Sequence, residues 1–517
     1  MPPLFLWLNS HVLSLLIFTP LLGTLALLFP FSLKQARALS FISALVCFFL
    51  ALHVAYYFKP SASLQFVESY RWIPSFGIQY LVGVDGINLL LLVFTTFLTP
   101  CVLLSLWESS PRYEKSFLAL ILALETGVIG ALLAMDLVFF YVFWEAMLIP
   151  MYFMVGLWGG KNKIYASTQF MLYTIMGSLL MLVAVICLYI LHFEQFGYYS
   201  TSILDLYKIR NLPVSSERLL FFAFALAFAV KIPVWPFHTW LPHTHTEAPT
   251  SGSVLLAGIL LKMGTYGFLR LALPLFPHAA TEAAPLFAAL GTIGIVYGAL
   301  MAWMQLDAKR LVAYSSVSHL GFVVLGSMCM FQGQLSEEAL IGANYQMICH
   351  GLSTGALFFL IGSIYERRHT RLLSDFGGLA KPMPIFAIFL VLATLGSVGL
   401  PGTGGFIGEF LILIGVFQLS PIVAIFAGSG VVLGAVYMLT FCGKIIFGPL
   451  KHKENENLKD LSWIERSYLI PLSVMILITG IYPNLFLDKV KPSLNYFVKN
   501  INSYHLLIEA EDGEKTP

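Results

Sequence analysis

The sequence predicts an all-α polytopic membrane protein of about 14 transmembrane helices, with two inverted five-helix repeats that each contain a broken helix. Three observations carry this. The 517 residues are 58% hydrophobic and only 11% charged, with mean hydropathy +0.83, where a soluble domain carries about 25% charged residues. Apolar stretches long enough to cross a bilayer, roughly 20 residues each, recur along the chain. Two of them, five apart, are interrupted by proline and glycine beside an ionisable residue.

The predicted spans have cores at 11–31, 38–58, 84–106, 115–134, 136–158, 165–192, 218–240, 250–275, 283–305, 311–331, 339–365, 384–415, 421–446 and 467–488. The first follows an N-terminus without the basic region of a signal peptide, so it is expected to be retained. The organisation expected is N-terminal helices 1–3 over 1–114, a first repeat (helices 4–8) over 115–275, a second (helices 9–13) over 283–446, and helix 14 with the tail over 447–517. The tail after 489 reads as amphipathic to about 505, then acidic and at the surface.

Loop charge sets the orientation. Loops after odd-numbered spans hold seventeen of the 29 lysines and arginines, including Lys161, Lys309, Arg310 and Arg371; the other side holds ten, including Lys208, Arg210 and Arg270. The richer side is expected to be cytoplasmic, with both termini on the opposite side. Two lysines remain, Lys231 and Lys262, inside spans.

The net charge of +2 gives no pointer to nucleic acid. The six cysteines are scattered and form no C-x-x-C, which argues against a disulfide framework, a zinc site or an iron–sulfur cluster. No phosphate loop or dinucleotide fingerprint is present.

A charge in hydrocarbon costs several kcal/mol unless paired or hydrated, so intramembrane ionisable residues are the candidate working groups. They are Glu125, Glu145, Lys231, Lys262, His319, His350 and Glu409. Glu145 and Lys231, on different spans, suit a buried acid–base pair. Approach of a carboxylate favours the charged lysine and separation favours release of its proton, although a static salt bridge between helices is the simpler alternative. Pro233 and Pro236 remove the bonds to the carbonyls of Ala229 and Ile232 and should break the seventh span. Pro401 and Gly402, among Gly399, Gly404 and Gly405, should break the twelfth, two turns before Glu409. Irregular backbone at depth is tolerated where it lines a cavity or is covered by protein. Paired broken helices in opposed five-helix copies are a transporter signature. Lys262 and His319 suit a water-assisted relay between Lys231 and Glu409, because histidine titrates near neutrality. Glu125, His238, His245 and His350 are secondary candidates. His238, His243, His245 and Glu247 crowd one segment but lack a metal-ligand spacing, so neither a metal nor another cofactor is expected in this chain.

The run P-F-H-T-W-L-P-H-T-H-T-E-A-P-T-S-G-S-V-L-L-A-G-I-L-L-K-M-G-T-Y-G-F-L-R at 236–270 resembles the M-type antiporter-like subunits (chain M, or 4) of respiratory complex I, the NADH–quinone oxidoreductase. So do G-V-D-G-I-N at 83–88, F-W-E-A-M-L-I-P at 143–150, A-Y-S-S-V-S-H-L-G at 313–321 and G-L-P-G-T-G-G-F-I-G-E-F at 399–410. The resemblance covers nearly the whole chain. Glu409, where related subunits often carry lysine, and the short C-terminal tail fit the M type, and E-A-P-T-S-G-S-V fits its bacterial form. One departure is His243, where the family usually has aspartate.

The resemblance implies a subunit of a redox-driven translocase without a redox centre of its own. Its proton path would run through Glu145, Lys231, Lys262, His319 and Glu409. Other membrane subunits would flank it on both sides, a peripheral redox arm would act at a distance, and the site would be the bacterial inner membrane. A subunit of a multi-subunit Na+/H+ antiporter, a membrane-bound hydrogenase arm and a non-transporting scaffold are the alternatives.

Overall fold

The structure, a computed structural model, describes residues 3–513 apart from 109–110, 211, 332 and 451, with side-chain surroundings as far as Ser503. Residues 514–517, with Lys515 and the end of the acidic tail, lie outside the described residues. In order, the helices are α1 (Pro3–Ala26), α2 (Leu33–Tyr57), α3 (Leu89–Ser105), α4 (Glu114–Leu133), α5 (Leu137–Trp158), α6 (Lys163–Phe196), α7 (Val214–Lys231), α8 (Trp240–Glu247) and α9 (Thr250–Leu275). There follow α10 (Pro277–Trp303), α11 (Ala308–Ser327), α12 (Glu337–Arg368), α13 (Pro384–Val398), α14 (Gly404–Leu419), α15 (Pro421–Ile446), α16 (Trp463–Ile481) and α17 (Asn484–Gly513). Among the described residues ten helices are long and apolar enough to cross a membrane, and α3, α13 and α14 are shorter apolar helices.

Each predicted span falls on a helical segment. Both predicted interruptions are present: the seventh span stops at Lys231 and resumes at Trp240, and the twelfth stops at Val398 and resumes at Gly404. At the second break Gly399 and Gly402 take φ of +76° and +97°, a backbone that side-chain-bearing residues rarely adopt. The last span differs from expectation: α16 ends at Ile481, and Pro483 separates it from α17, which therefore takes the end of the predicted 467–488 core.

A feature the apolar scan passes over is a β-hairpin between α2 and α3. Its strands β1 (Gln65–Ile73) and β2 (Ile78–Val84) pair antiparallel. The buried Glu68 of β1 accepts the amides of Leu13 and Ser14 in α1 and the Ser14 hydroxyl, fastening the hairpin to the first helix.

The packing has a clear centre. The apolar stretches of α9 and α12 are wholly buried, whereas those of α1, α2, α15 and α16 are buried over only 33–39% of their residues. A helix apolar on all sides is stable only when surrounded by protein or lipid, and α9 and α12 are surrounded by the other helices. Glycine lets neighbours close in: a side chain on Gly342 of α12 would meet the Gly408 carbonyl of α14 at 2.8 Å. Within α9, Leu256–Leu260 and Phe268–Ala272 are wound as π-helix, on either side of Lys262.

Two local arrangements repeat. Asp136 caps α5 by accepting the amides of Val138 and Phe139, and pairs across an isolated β-bridge with Ser202 in the segment after α6. Asp307 caps α11 by accepting the amides of Lys309 and Arg310, and bridges to Leu372 in the segment after α12. Each caps the second helix of a predicted repeat and bridges the segment before its broken helix.

Candidate functional site

Lys262 is fully buried on α9. Its Nζ donates to the Ala257 carbonyl one π turn back and lies 2.8 Å from Nδ1 of His350 on α12. Nε2 of His350 lies 3.2 Å from the Ser316 hydroxyl of α11. The His350 ring faces the His319 ring with centroids 5.6 Å apart. Nδ1 of His319 lies 2.7 Å from Oε1 of Glu409 on α14, and the same oxygen accepts from Gln346 Nε2 at 2.9 Å. Nε2 of His319 reaches the hydroxyls of Ser397 (3.3 Å) and Tyr437 (3.5 Å). Lys262, His350, His319 and Glu409 thus stand in one buried line across four helices. His350, a secondary candidate on sequence grounds, is the member that joins Lys262 to the rest. The α12 sequence marks it as an ionisable residue inside a span but not as the link, because that role arises from two residues 88 and 31 positions away.

Lys231 stands apart from this line. It is buried at the end of α7, Nζ has no hydrogen-bond partner, and the ammonium lies over the Trp144 ring, 5.1 Å from its centroid. Glu145, the next residue to Trp144, is the carboxylate whose charge acts on Lys231, yet the two are not among the ion pairs within 4.0 Å found in the described residues. The expected acid–base pair therefore sits with its partners apart, and the indole face takes the ammonium. A cation over a desolvated indole gains about 2 kcal/mol, well below the penalty of burying it. Glu125 lies on α4 near Thr99 of α3, and neither carboxylate oxygen is hydrogen-bonded. The histidines of the crowded segment diverge: His238 packs on Tyr297, His243 on Tyr165 and His245 on Phe358, with centroids 5.1, 5.6 and 4.7 Å away.

Two cations assigned to loops by the charge count are buried. Arg270, 5% exposed, forms a two-pronged pair with Asp85, both contacts 2.7 Å, and its Nε meets the Tyr266 hydroxyl. Asp85 in turn accepts the Ile87 amide in the turn before α3. Lys309, also 5% exposed, donates to the Ala248 carbonyl. Both lie near helix ends, where sequence cannot tell a loop charge from one folded inward.

Residues 134–435 match the family described as NADH:quinone oxidoreductase/Mrp antiporter, transmembrane. That is more than half of the chain, and it spans both broken helices and the whole buried line.

The chain belongs to this family.

Curated members include NADH-quinone oxidoreductase subunit M of Rhodobacter capsulatus, 41% identical over 515 residues and covering 96% of this chain and 97% of the relative. The subunit of the same name from Rickettsia prowazekii is 41% identical over 487 residues, covering 93% and 97%. Among solved structures, a chain of respiratory complex I from Thermus thermophilus superposes with TM-score 0.85 at 32% identity, covering 95% of this chain and 99% of that one. The family fold extends to a chain of the Mrp complex from a Dietzia species, TM-score 0.83 over 96% and 99%, at 20% identity. This family member is therefore a multi-pass subunit of the subunit M type.

Proposed function

We propose that this chain moves protons across the membrane as a subunit of an NADH–quinone oxidoreductase, driven by electron transfer in other subunits. The buried line Lys262–His350–His319–Glu409 carries the reading. It supplies an amine, two imidazoles and a carboxylate within hydrogen-bond or ring contact, in a region that excludes bulk water. Redox energy shifts Glu145 against Lys231; the change in that charge pair sets whether Lys262 holds or passes its proton; the proton then moves by way of His350 and His319 to Glu409, which releases it. The repeated Asp136 and Asp307 caps support an internal repeat of 115–275 and 283–446, and an odd number of spans per copy makes the copies inverted. Similar antiporter-like subunits flank the chain on both sides, and the lysine- and arginine-rich loops face the cytoplasm of a bacterial cell.

In vesicles holding the assembled complex, Lys262→Ala and Glu409→Gln are expected to abolish NADH-driven proton uptake attributable to this subunit and to slow coupled quinone reduction. Wild-type uptake by both variants, with normal subunit content, rejects the proposal. An Mrp-type antiporter role is separated by copurification: flavin and iron–sulfur subunits remaining with the chain after mild detergent extraction exclude it.

A further inference from the structure

On the side with fewer lysines and arginines, an open cavity of about 790 Å³ is lined by Tyr207, Ser493, Asp85 and Arg270 among others. Asp85 and Arg270, each 5% exposed, form its inner wall. Nη1 and Nη2 of Arg270 hold the two Asp85 oxygens at 2.7 Å, and Nε meets the Tyr266 hydroxyl. Oδ1 of Asp85 also accepts the Ile87 amide. The Gly86 amide donates to the Ser493 hydroxyl at 2.9 Å, which ties the turn carrying Asp85 to α17. All three guanidinium nitrogens and both carboxylate oxygens are engaged. Behind this wall lies the relay. Eight residues of α9 separate Lys262 from Arg270, about 12 Å along the helix axis. Between them Thr265 is fully buried with an unpartnered hydroxyl, one turn from Lys262. On α12, Asn344 donates to the Ile87 carbonyl, and its own amide oxygen is buried without a partner. Unpaired polar atoms at such depth favour water wherever water has a way in, and the pair stands between them and the cavity.

We infer that the Asp85–Arg270 pair is the outer seal of the buried line. It closes the short way from Lys262 to this cavity, so that a proton on Lys262 leaves only through His350. The guanidinium gives up no proton in a protein. The carboxylate is held against that guanidinium by both oxygens, so protonating it would strand a buried cation without its partner. Neither member passes a proton on, and the two side chains fill the gap that water would otherwise use to reach Thr265. The seal rests on the proton-translocation reading above.

The test uses vesicles that hold the full complex and an internal pH dye. A pH step is imposed without NADH, with potassium and valinomycin clamping the voltage, and its decay is followed. Asp85→Ser with Arg270→Ser removes both charges and most of the bulk. The expected result is decay several-fold faster than wild type at normal subunit content. Adding Lys262→Ala should return it to the wild-type rate, because the leak has then lost its carrier. Wild-type decay in the double variant overturns the seal. So does fast decay that survives Lys262→Ala, since that leak runs outside the buried line. Should the serine pair fail to assemble, Asp85→Asn with Arg270→Gln removes both charges at nearly the original volume and is read by the same two measurements. Failure of the underlying reading shows separately, as wild-type NADH-driven uptake by Lys262→Ala alone.

Discussion

Nζ of Lys262 and Nδ1 of His350 lie 2.8 Å apart, and the chemistry of the two groups fixes which carries hydrogen. When Lys262 is charged it only donates, so Nδ1 then accepts, and the neutral imidazole carries its hydrogen on Nε2, facing the Ser316 hydroxyl at 3.2 Å. A proton arriving at Nδ1 leaves the ring able to shed the one at Nε2. The imidazole conducts by taking a proton at one nitrogen and losing one at the other, without the ring moving.

That arrangement makes His350 as sensitive as Lys262. His350→Ala leaves the Lys262 ammonium with the Ala257 carbonyl alone and opens a gap before His319. The expected outcome is loss of proton uptake comparable to Lys262→Ala, with NADH oxidation slowed and the complex still assembled. Vesicle proton uptake checks it, and retention of more than half of wild-type uptake contradicts it.

Trp144 is predicted to matter through its face rather than its indole N–H. Trp144→Leu removes a contact of about 0.5–2 kcal/mol with the Lys231 ammonium and should lower proton uptake, whereas Trp144→Phe keeps an aromatic face and should retain most of it. Equal defects in the two variants would assign Trp144 to packing instead, where its ring also meets Phe228 at 5.4 Å.

The Asp85–Arg270 pair concerns stability. Both groups are largely buried, with side-chain exposures of 7% and 6%, so removing one strands the other. Asp85→Ala is expected to destabilise the fold by about 3–5 kcal/mol, read as an earlier thermal unfolding transition of the purified complex. A double change, Asp85→Leu with Arg270→Met, should recover most of that loss, since neither charge is then left alone. A double variant no better than the single one would show that the pair contributes more than mutual neutralisation.

How far the molecule could be read without its fold follows from what each signal requires. Spans, both helix breaks and the intramembrane residues were legible because length, proline and buried charge act locally. The joining role of His350 was not, since it depends on Lys262 and His319 meeting it from two other helices. Trp144 passed as an ordinary apolar residue because its contact with Lys231 crosses from α5 to α7. Arg270 and Lys309 were read as loop charges because they sit at helix ends, and only the folded chain shows Asp85 and the Ala248 carbonyl waiting for them. The hairpin at 65–84 was missed by a scan tuned to long apolar runs, although its alternating aromatic and β-branched residues fit a strand pattern.

The two π-wound stretches of α9 have a consequence for register. A π turn holds one residue more than an α turn between hydrogen-bonded groups, so each shifts the angular phase of everything beyond it. Leu261–Gly267, which carries Lys262, is flanked by such a turn on each side. Its azimuth is therefore set independently of the helix ends that anchor it at Thr250 and Leu275. Winding Leu256–Leu260 as regular helix with no residue removed would swing the lysine by about 100°, off the bearing of His350, whereas deleting one residue there would restore regular helix and keep the lysine on its bearing.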